Sequence, residues 1–372
     1  MGQVLLLTLI LSFSPSIQQS SDITVRFNRA VELQREGQLK PAADEYRALL
    51  KVSPDYAEAH ANLGVVLAQI GRYEESVAAY ESALRLAPQL TPILLNLGIA
   101  HYRANRFDKA ADAFKRFLIS DPENLQARQL LGLSLFELGR DAEAIPAIEQ
   151  TINKTPDDPA ILYALGLAYM RQRYPGVDEI IGRLAKTPNG LPAAHLLRGQ
   201  SYLGSFEFER AIAELEAAAK LNPGLPRLPY SLGLGYAKLG RNKEALAAFE
   251  KELRRTPRDF STLYYLAYLH EADENLSAAR VRLDEALKLE PQSPEANALL
   301  GKILVKGGKS AEALAPLETA IAKDPSDPDK RYLLARVYQA LGRRQDAARE
   351  FAEVQRLKAK QLETDRARTS KP

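Results

Sequence analysis

The 372-residue chain contains no cysteine and no tryptophan, two methionines and four histidines. Without cysteine there is no disulfide, thiolate nucleophile, Cys-ligated zinc site, iron–sulfur cluster or lipidated N-terminal cysteine. His60, His101, His195 and His270 stand singly, and none falls in an H-E-x-x-H pattern. No phosphate loop and no G-x-S-x-G elbow occurs either. No stretch reaches the ~20 apolar residues that a membrane span needs. Charge of one sign is also missing: 50 basic residues face 47 acidic ones. The last twenty residues hold six basic and three acidic side chains, so residues 1–352 carry 44 of each. Duplex binding calls for a basic field over the body, and this chain has none. At 46% hydrophobic and 26% charged, the composition is that of a folded globular chain.

The first residues form a segment of their own. Val4 to Phe13 is an apolar run broken only by Thr8, and Ser14-Pro15-Ser16 ends it. Ten apolar residues suit the core of an export signal, and Ser14 and Ser16 supply a small-x-small cleavage pattern. The stretch ahead of the core lacks Lys and Arg, which leaves packing on the first helix as the competing reading. Residues 1–21 are thus expected to be a signal peptide. The mature chain would be periplasmic or secreted, with no membrane span after cleavage; left uncleaved, the segment would associate it with a membrane. An exported chain without cysteine fits a bacterial envelope.

What the chain has in abundance is repetition. Pro54, Pro88, Pro122, Pro156, Pro188, Pro223, Pro257, Pro291 and Pro325 follow one another at gaps of 34, 34, 34, 32, 35, 34, 34 and 34. In the same register a small residue recurs at Ala30, Gly64, Gly98, Gly132, Gly166, Gly199, Gly233, Ala267, Gly301 and Ala335. A second small column runs through Ala42, Ser76, Ala110, Ala144, Ala211, Ala245, Ala279, Ala313 and Ala347. Four residues after each comes a large one: Tyr46, Tyr80, Phe114, Ile148, Leu215, Phe249, Leu283, Leu317 and Phe351. The i, i+4 spacing puts small and large on one helix face. Each repeat therefore predicts two helices, A and B, as at about Ala57–Ile70 and Glu74–Leu86. Glycine between them, as at Gly71, suits the left-handed residue that ends helix A. The closing proline ends helix B. One pair cannot bury its apolar face alone, but stacked neighbours can.

These columns, with leucine before most of the glycines and Tyr169, Tyr202, Tyr236 and Tyr338 three residues after the small column, resemble the tetratricopeptide repeat (TPR). The resemblance covers about ten repeats within residues 22–361 and leaves residues 362–372 as a basic tail. It departs from the family pattern in having no tryptophan early in helix A. It implies an all-α, right-handed α-solenoid of antiparallel helix pairs. It also implies that helix A lines a concave groove holding a peptide segment of another protein.

Within that expected groove, Asn28, Asn62 and Asn96 form a polar column in three successive repeats. The amide offers a donor and an acceptor to a peptide backbone. This ladder resembles that of the repeat domain of O-GlcNAc transferase, which raises an accessory role beside a separate glycosyltransferase or secretion machinery. The adjoining columns hold Tyr163, Tyr230, Tyr264 and Tyr332, then Tyr268, Lys302 and Arg336. Tyrosine combines apolar area with a hydroxyl and is enriched at interfaces. Lys302 and Arg336 alone do not make the carboxylate clamp of chaperone-binding members, nor the basic groove of an RNA-binding helical repeat. Every histidine falls in a packing column. The reading is a scaffold for a protein or peptide partner, with no catalytic, metal or cofactor residues and no nucleic-acid ligand.

The fifth repeat, near residues 159–190, breaks the pattern. It is two residues short, Asp178 stands where the small residue belongs, and Gly182 stands where the large one belongs. A weak joint is expected there, because repeat stability is roughly a sum of repeat and neighbour terms.

Overall fold

The computed structural model describes residues 20–369. The apolar run and its Ser14-Pro15-Ser16 boundary lie outside the described residues, as do residues 370–372. Among the described residues the secondary structure is twenty helices and no strand. They are α1 Ser20–Arg35, α2 Leu39–Val52, α3 Ala57–Gln69, α4 Tyr73–Leu86, α5 Pro92–Arg103, α6 Phe107–Ser120, α7 Leu125–Glu137, α8 Asp141–Ile152, α9 Pro159–Gln172 and α10 Val177–Lys186. The series continues with α11 Leu191–Gly204, α12 Phe208–Leu221, α13 Leu228–Lys238, α14 Asn242–Arg255, α15 Phe260–Ala272, α16 Leu276–Leu289, α17 Pro294–Lys306, α18 Leu314–Lys323, α19 Pro328–Ala340 and α20 Arg344–Thr369. Odd-numbered helices are the A members and even-numbered ones the B members. No described helix is long and apolar enough to cross a membrane. Helix α20 runs unbroken to Thr369, so the expected tail begins inside a helix.

The helix pairs form two compact units, residues 1–197 and 198–372, divided within α11.

The recurring columns explain the pairing. Gly64 and Gly98 lie under the rings of Tyr80 and Phe114, where a Cβ would fall 2.6 and 2.5 Å from ring carbon. The same contact recurs at Gly233 against Phe249 and at Gly301 against Leu317. Small residues thus bring helix A down onto the large residue of helix B. Ser76 adds a bond from its hydroxyl to the Gly64 carbonyl at 2.7 Å. Helix A ends at a left-handed residue such as Gly71, φ +79°.

Two further devices recur that the repeat columns do not announce. Two residues after a closing proline stand Asn124, Asp158, Asp259, Ser293 and Asp327, and each caps the next helix A by accepting a backbone N–H. Such a cap contributes about 1 kcal/mol. Tyrosines three residues after the small column donate their hydroxyls to a glutamate twenty positions earlier, on the preceding helix B. Tyr236 reaches Glu216 at 2.8 Å, Tyr338 reaches Glu318 at 3.0 Å, and Tyr169 bonds Glu149. Arg241 and Arg343 then lie over Tyr236 and Tyr338, 4.5 and 4.3 Å from the ring centroids. His101 fills the same slot opposite Glu81. Burial lowers its pKa, and Glu81 works against that.

The fifth repeat corrects the sequence reading. Its turn, Arg173-Tyr174-Pro175-Gly176, delays α10, so the buried i, i+4 pair becomes Ile180 and Leu184 instead of positions 178 and 182. Gly182 faces away, with no atom within 4 Å of a Cβ built there. Over Gly166 the missing large residue is replaced by Leu197 of α11, 2.3 Å from a built Cβ. The register slips by two, and an apolar core survives around Leu165, Ile181 and Leu197.

Candidate functional site

In the first unit the helix A positions expected to face a groove are closed in α3 and α5 and half-buried at Gln129, Leu133, Tyr163 and Leu167 of α7 and α9. Ala61, Val65, Leu95 and Ile99 are all buried. So are Asn62 and Asn96; of the three asparagines only Asn28 is exposed. The Tyr46 hydroxyl, whose pKa burial raises against the opposing effect of Asn62, donates to Gln34 at 3.0 Å. Asn96 is 2% exposed, and its Oδ1 has no partner among the described residues. Their column continues through Leu130, Ala164 and Leu197, all buried. It is a packing column between repeats, so Asn62 and Asn96 do not form a ladder open to a peptide. One step along a helix turns the side chain by ~100°, enough to move it from the open face to the neighbouring helix. Tyr163 is half-buried in the same unit.

The second unit differs at the equivalent positions. Tyr230 and Tyr264 are half-buried, Tyr268 and Tyr332 are 45% and 44% exposed, and Lys302 and Arg336 are exposed. Tyr230, Tyr264 and Tyr332 are held from behind. Tyr265 stacks on Phe249 with centroids 5.3 Å apart and planes 4° apart. Tyr230 and Tyr264 meet Tyr265 edge-on at 6.1 and 5.5 Å. Arg227 lies 3.9 Å over the Tyr230 ring and pairs with Asp259 at 2.8 Å. Phe351 supports Tyr332 at 5.8 Å. Burial pushes the Tyr264 hydroxyl up to about 12, so it stays a hydrogen-bond donor at neutral pH. The aromatic positions are thereby preorganised.

The charged members are coupled through Glu271, which is buried and pairs with Lys302 at 2.8 Å and Lys306 at 2.6 Å. Burial works to raise its pKa, but the two ammonium groups outweigh that and hold it below the usual carboxylate range. Arg336 donates to the Tyr332 hydroxyl at 3.4 Å and forms no ion pair among the described residues. Glu271, Lys306, Arg227 and Tyr265 were not legible as site residues. Tyr265 falls in the asparagine column, and the other three lie outside the two columns that face the surface.

Behind Tyr230 sits Glu252, 2% exposed, in a column that elsewhere holds uncharged residues: Leu49, Ala83, Phe117, Thr151, Ala218, Ala286, Ala320 and Val354. The Arg227 guanidinium and the Tyr230 backbone N–H, both at the start of α13, favour its ionised form, and burial outweighs them. Its Oε2 has no partner among the described residues. Burial raises its pKa. The unfolded chain therefore ionises first, and the second unit loses stability as pH climbs from the ordinary carboxylate pKa through the raised folded one. Glu252→Gln, which keeps the size of the side chain and removes its titration, is expected to match the parent near pH 4. Near pH 8 it should exceed it by about 1 kcal/mol, the scale of one unsatisfied buried polar group. Urea unfolding at the two pH values checks this.

The family model described as tetratricopeptide repeat matches residues 27–91, 95–154, 196–260 and 230–282, and a second model of the same description matches 270–329 and 304–364. The chain belongs to the tetratricopeptide repeat family. Residues 155–195, which hold the slipped fifth repeat, fall outside these matches. Curated relatives include anaphase-promoting complex subunit 3 of Schizosaccharomyces pombe, 24% identical over 42% of this chain and 24% of the relative. The TPR repeat-containing protein YpiA of Bacillus subtilis is 26% identical over 49% of this chain and 43% of its own length. The chain thus spans less than half the length of these relatives. Among solved structures, a human IFIT1 dimer with PPP-AAAA superposes with a TM-score of 0.53 at 16% identity, covering 92% of this chain and 96% of that one. A monomeric IFIT1 mutant with Gppp-AAAA gives 0.54 at 15%, covering 90% of each. At that identity the likeness shows the fold, an α-solenoid of TPR type, and nothing more. Repeats of this family build protein-interaction scaffolds, and that is the coarse function of this chain.

Proposed function

We propose that the chain takes a peptide segment of a partner protein on the helix A face of its second unit. The observation that carries this is the contrast between the two units. The same helix positions are apolar and buried in α3 and α5, yet present tyrosine, lysine and arginine to solvent in α15, α17 and α19. An exposed tyrosine backed by another ring, as Tyr332 is by Phe351, suits an interface, because it loses little entropy on binding. A photo-reactive residue at position 268 or 332 is expected to crosslink a captured partner. The same residue at exposed Val281, on the helix B side, is expected not to. Equal crosslinking at all three would count against this face.

The proposal includes export and an assembly role at a bacterial envelope. It rests on the apolar run and small-x-small boundary of the sequence. Mass spectrometry of the native protein should find a chain beginning shortly after Ser16. An intact Met1 on cytoplasmic protein would sink that part alone. The even charge balance of residues 1–352 favours a protein partner over a nucleic acid.

A further inference from the structure

Across α17 and α19 the open face of the second unit is asymmetric in charge. On its C-terminal side, one or five residues after the small column, lie Lys238 of α13, Lys302 and Lys306 of α17, and Arg336 of α19. The carboxylate set among them, Glu271, is buried and already shared by Lys302 and Lys306. Neither Lys238 nor Arg336 has a carboxylate partner among the described residues. On the N-terminal side, six residues before the small column, stand Glu295 of α17 and Asp329 of α19, where negative charge suits a helix start; the same position in α13 is Arg227, which is paired with Asp259. The exposed rings of Tyr268 and Tyr332 belong to the basic side and the positions between.

The spacing is informative. Helices α15, α17 and α19 contact one another in succession. Packed helices lie about 8–10 Å apart. Lys302 and Arg336 occupy the same position on adjacent A helices, so that is about their separation. An extended chain advances about 3.3–3.6 Å per residue, so three residues cover one helix-to-helix step. Resting on the binding face argued above, we propose that its occupant is an extended protein segment with acidic residues three apart. Two successive acids meet Lys302 and Arg336, and apolar residues between them lie on Tyr268 and Tyr332. The neighbouring Glu295 and Asp329 repel an acidic segment that strays toward the N-terminal side, which confines it to one track. A nucleic-acid strand, charged at every residue, would meet those carboxylates as well.

The test is fluorescence polarisation on the full chain with labelled twelve-residue peptides. One carries glutamate at every third position among Leu, Ala and Ser. A second has the same composition with the glutamates adjacent. A third has lysine for glutamate, and a fourth is neutral. The spaced acidic peptide is expected to bind at least tenfold tighter than the other three, and more weakly as salt rises. Arg336→Glu, which breaks no internal ion pair, is expected to remove at least tenfold. Lys302→Gln, which leaves Lys306 on Glu271, is expected to weaken binding in the same direction. Equal binding of the spaced and bunched peptides, or no effect of Arg336→Glu, overturns the proposal. If the neutral peptide binds as well and only Tyr268→Ala and Tyr332→Ala weaken it, the acidic occupant is wrong and the face stands. If no substitution on this face alters any peptide's binding, both fall. Tighter binding of a twelve-nucleotide single-stranded RNA, lost in Arg336→Glu, would replace the peptide by nucleic acid.

Discussion

Replacing Phe114 by alanine is expected to cost the first unit about 3–5 kcal/mol, the range for emptying a buried phenylalanine site. The ring is fully buried. It fills the space that Gly98 leaves, and it packs in one cluster with Leu94, Leu131 and Leu135. Two helix pairs meet on it, so the neighbours cannot close up without moving a whole helix. Hydrogen exchange of the α5 and α6 amides should report the loss directly, since repeat arrays open locally. The fifth repeat supplies the opposite case. Gly182→Ala adds a methyl that meets nothing within 4 Å and removes a flexible residue from a helix interior. It is expected to stabilise α10 by about 0.5–1 kcal/mol. If Gly182 occupied the large-residue position, alanine would partly fill a cavity and the gain would be larger. A gain above about 2 kcal/mol would show that the two-residue slip is wrong.

The second large effect concerns binding. Tyr268→Ala with Tyr332→Ala is expected to weaken capture of the partner segment by about 2 kcal/mol or more per side chain, as aromatic anchors do. Both side chains are close to half exposed, and the apolar contact beneath Tyr332 is Phe351. Stability should therefore change little while affinity falls by a factor of about 30 or more for each. Calorimetric titration gives the affinity, and a urea midpoint on the same preparation gives the stability. An affinity loss no greater than that of Val281→Ala on the helix B side, at unchanged stability, would remove the helix A face as the binding surface.

Much of this molecule was legible from its residues. Period, pairing and helix bounds follow from columns that recur every 34 positions, since each column answers to one contact between two helices. Gly98 under Phe114 is such a contact, visible as a small residue and a large one sixteen positions apart. The capping residues two positions after the closing prolines were equally present in the sequence, but they vary among Asn, Asp and Ser and so form no single-letter column. The Tyr236–Glu216 bond was hidden because its partners lie twenty residues apart on helices of different repeats.

Other features were decided by the tertiary structure alone. Periodicity assigns a residue to a helix and gives its rotation, but not what lies opposite. Asn62 and Asn96 share a rotation that a free helix would leave open, and the packing of adjacent repeats closes it. The tyrosine columns run through both units, yet only in the second do Tyr268 and Tyr332 reach solvent. In the fifth repeat the letters at positions 178 and 182 pointed to a missing core. The chain instead shifts Ile180 and Leu184 into place and draws Leu197 over Gly166. A sequence repeat determines which residues can meet, because local geometry is the same in every copy. Which of them do meet depends on the turn before the helix and on the neighbour beside it, and those are properties of the packed array.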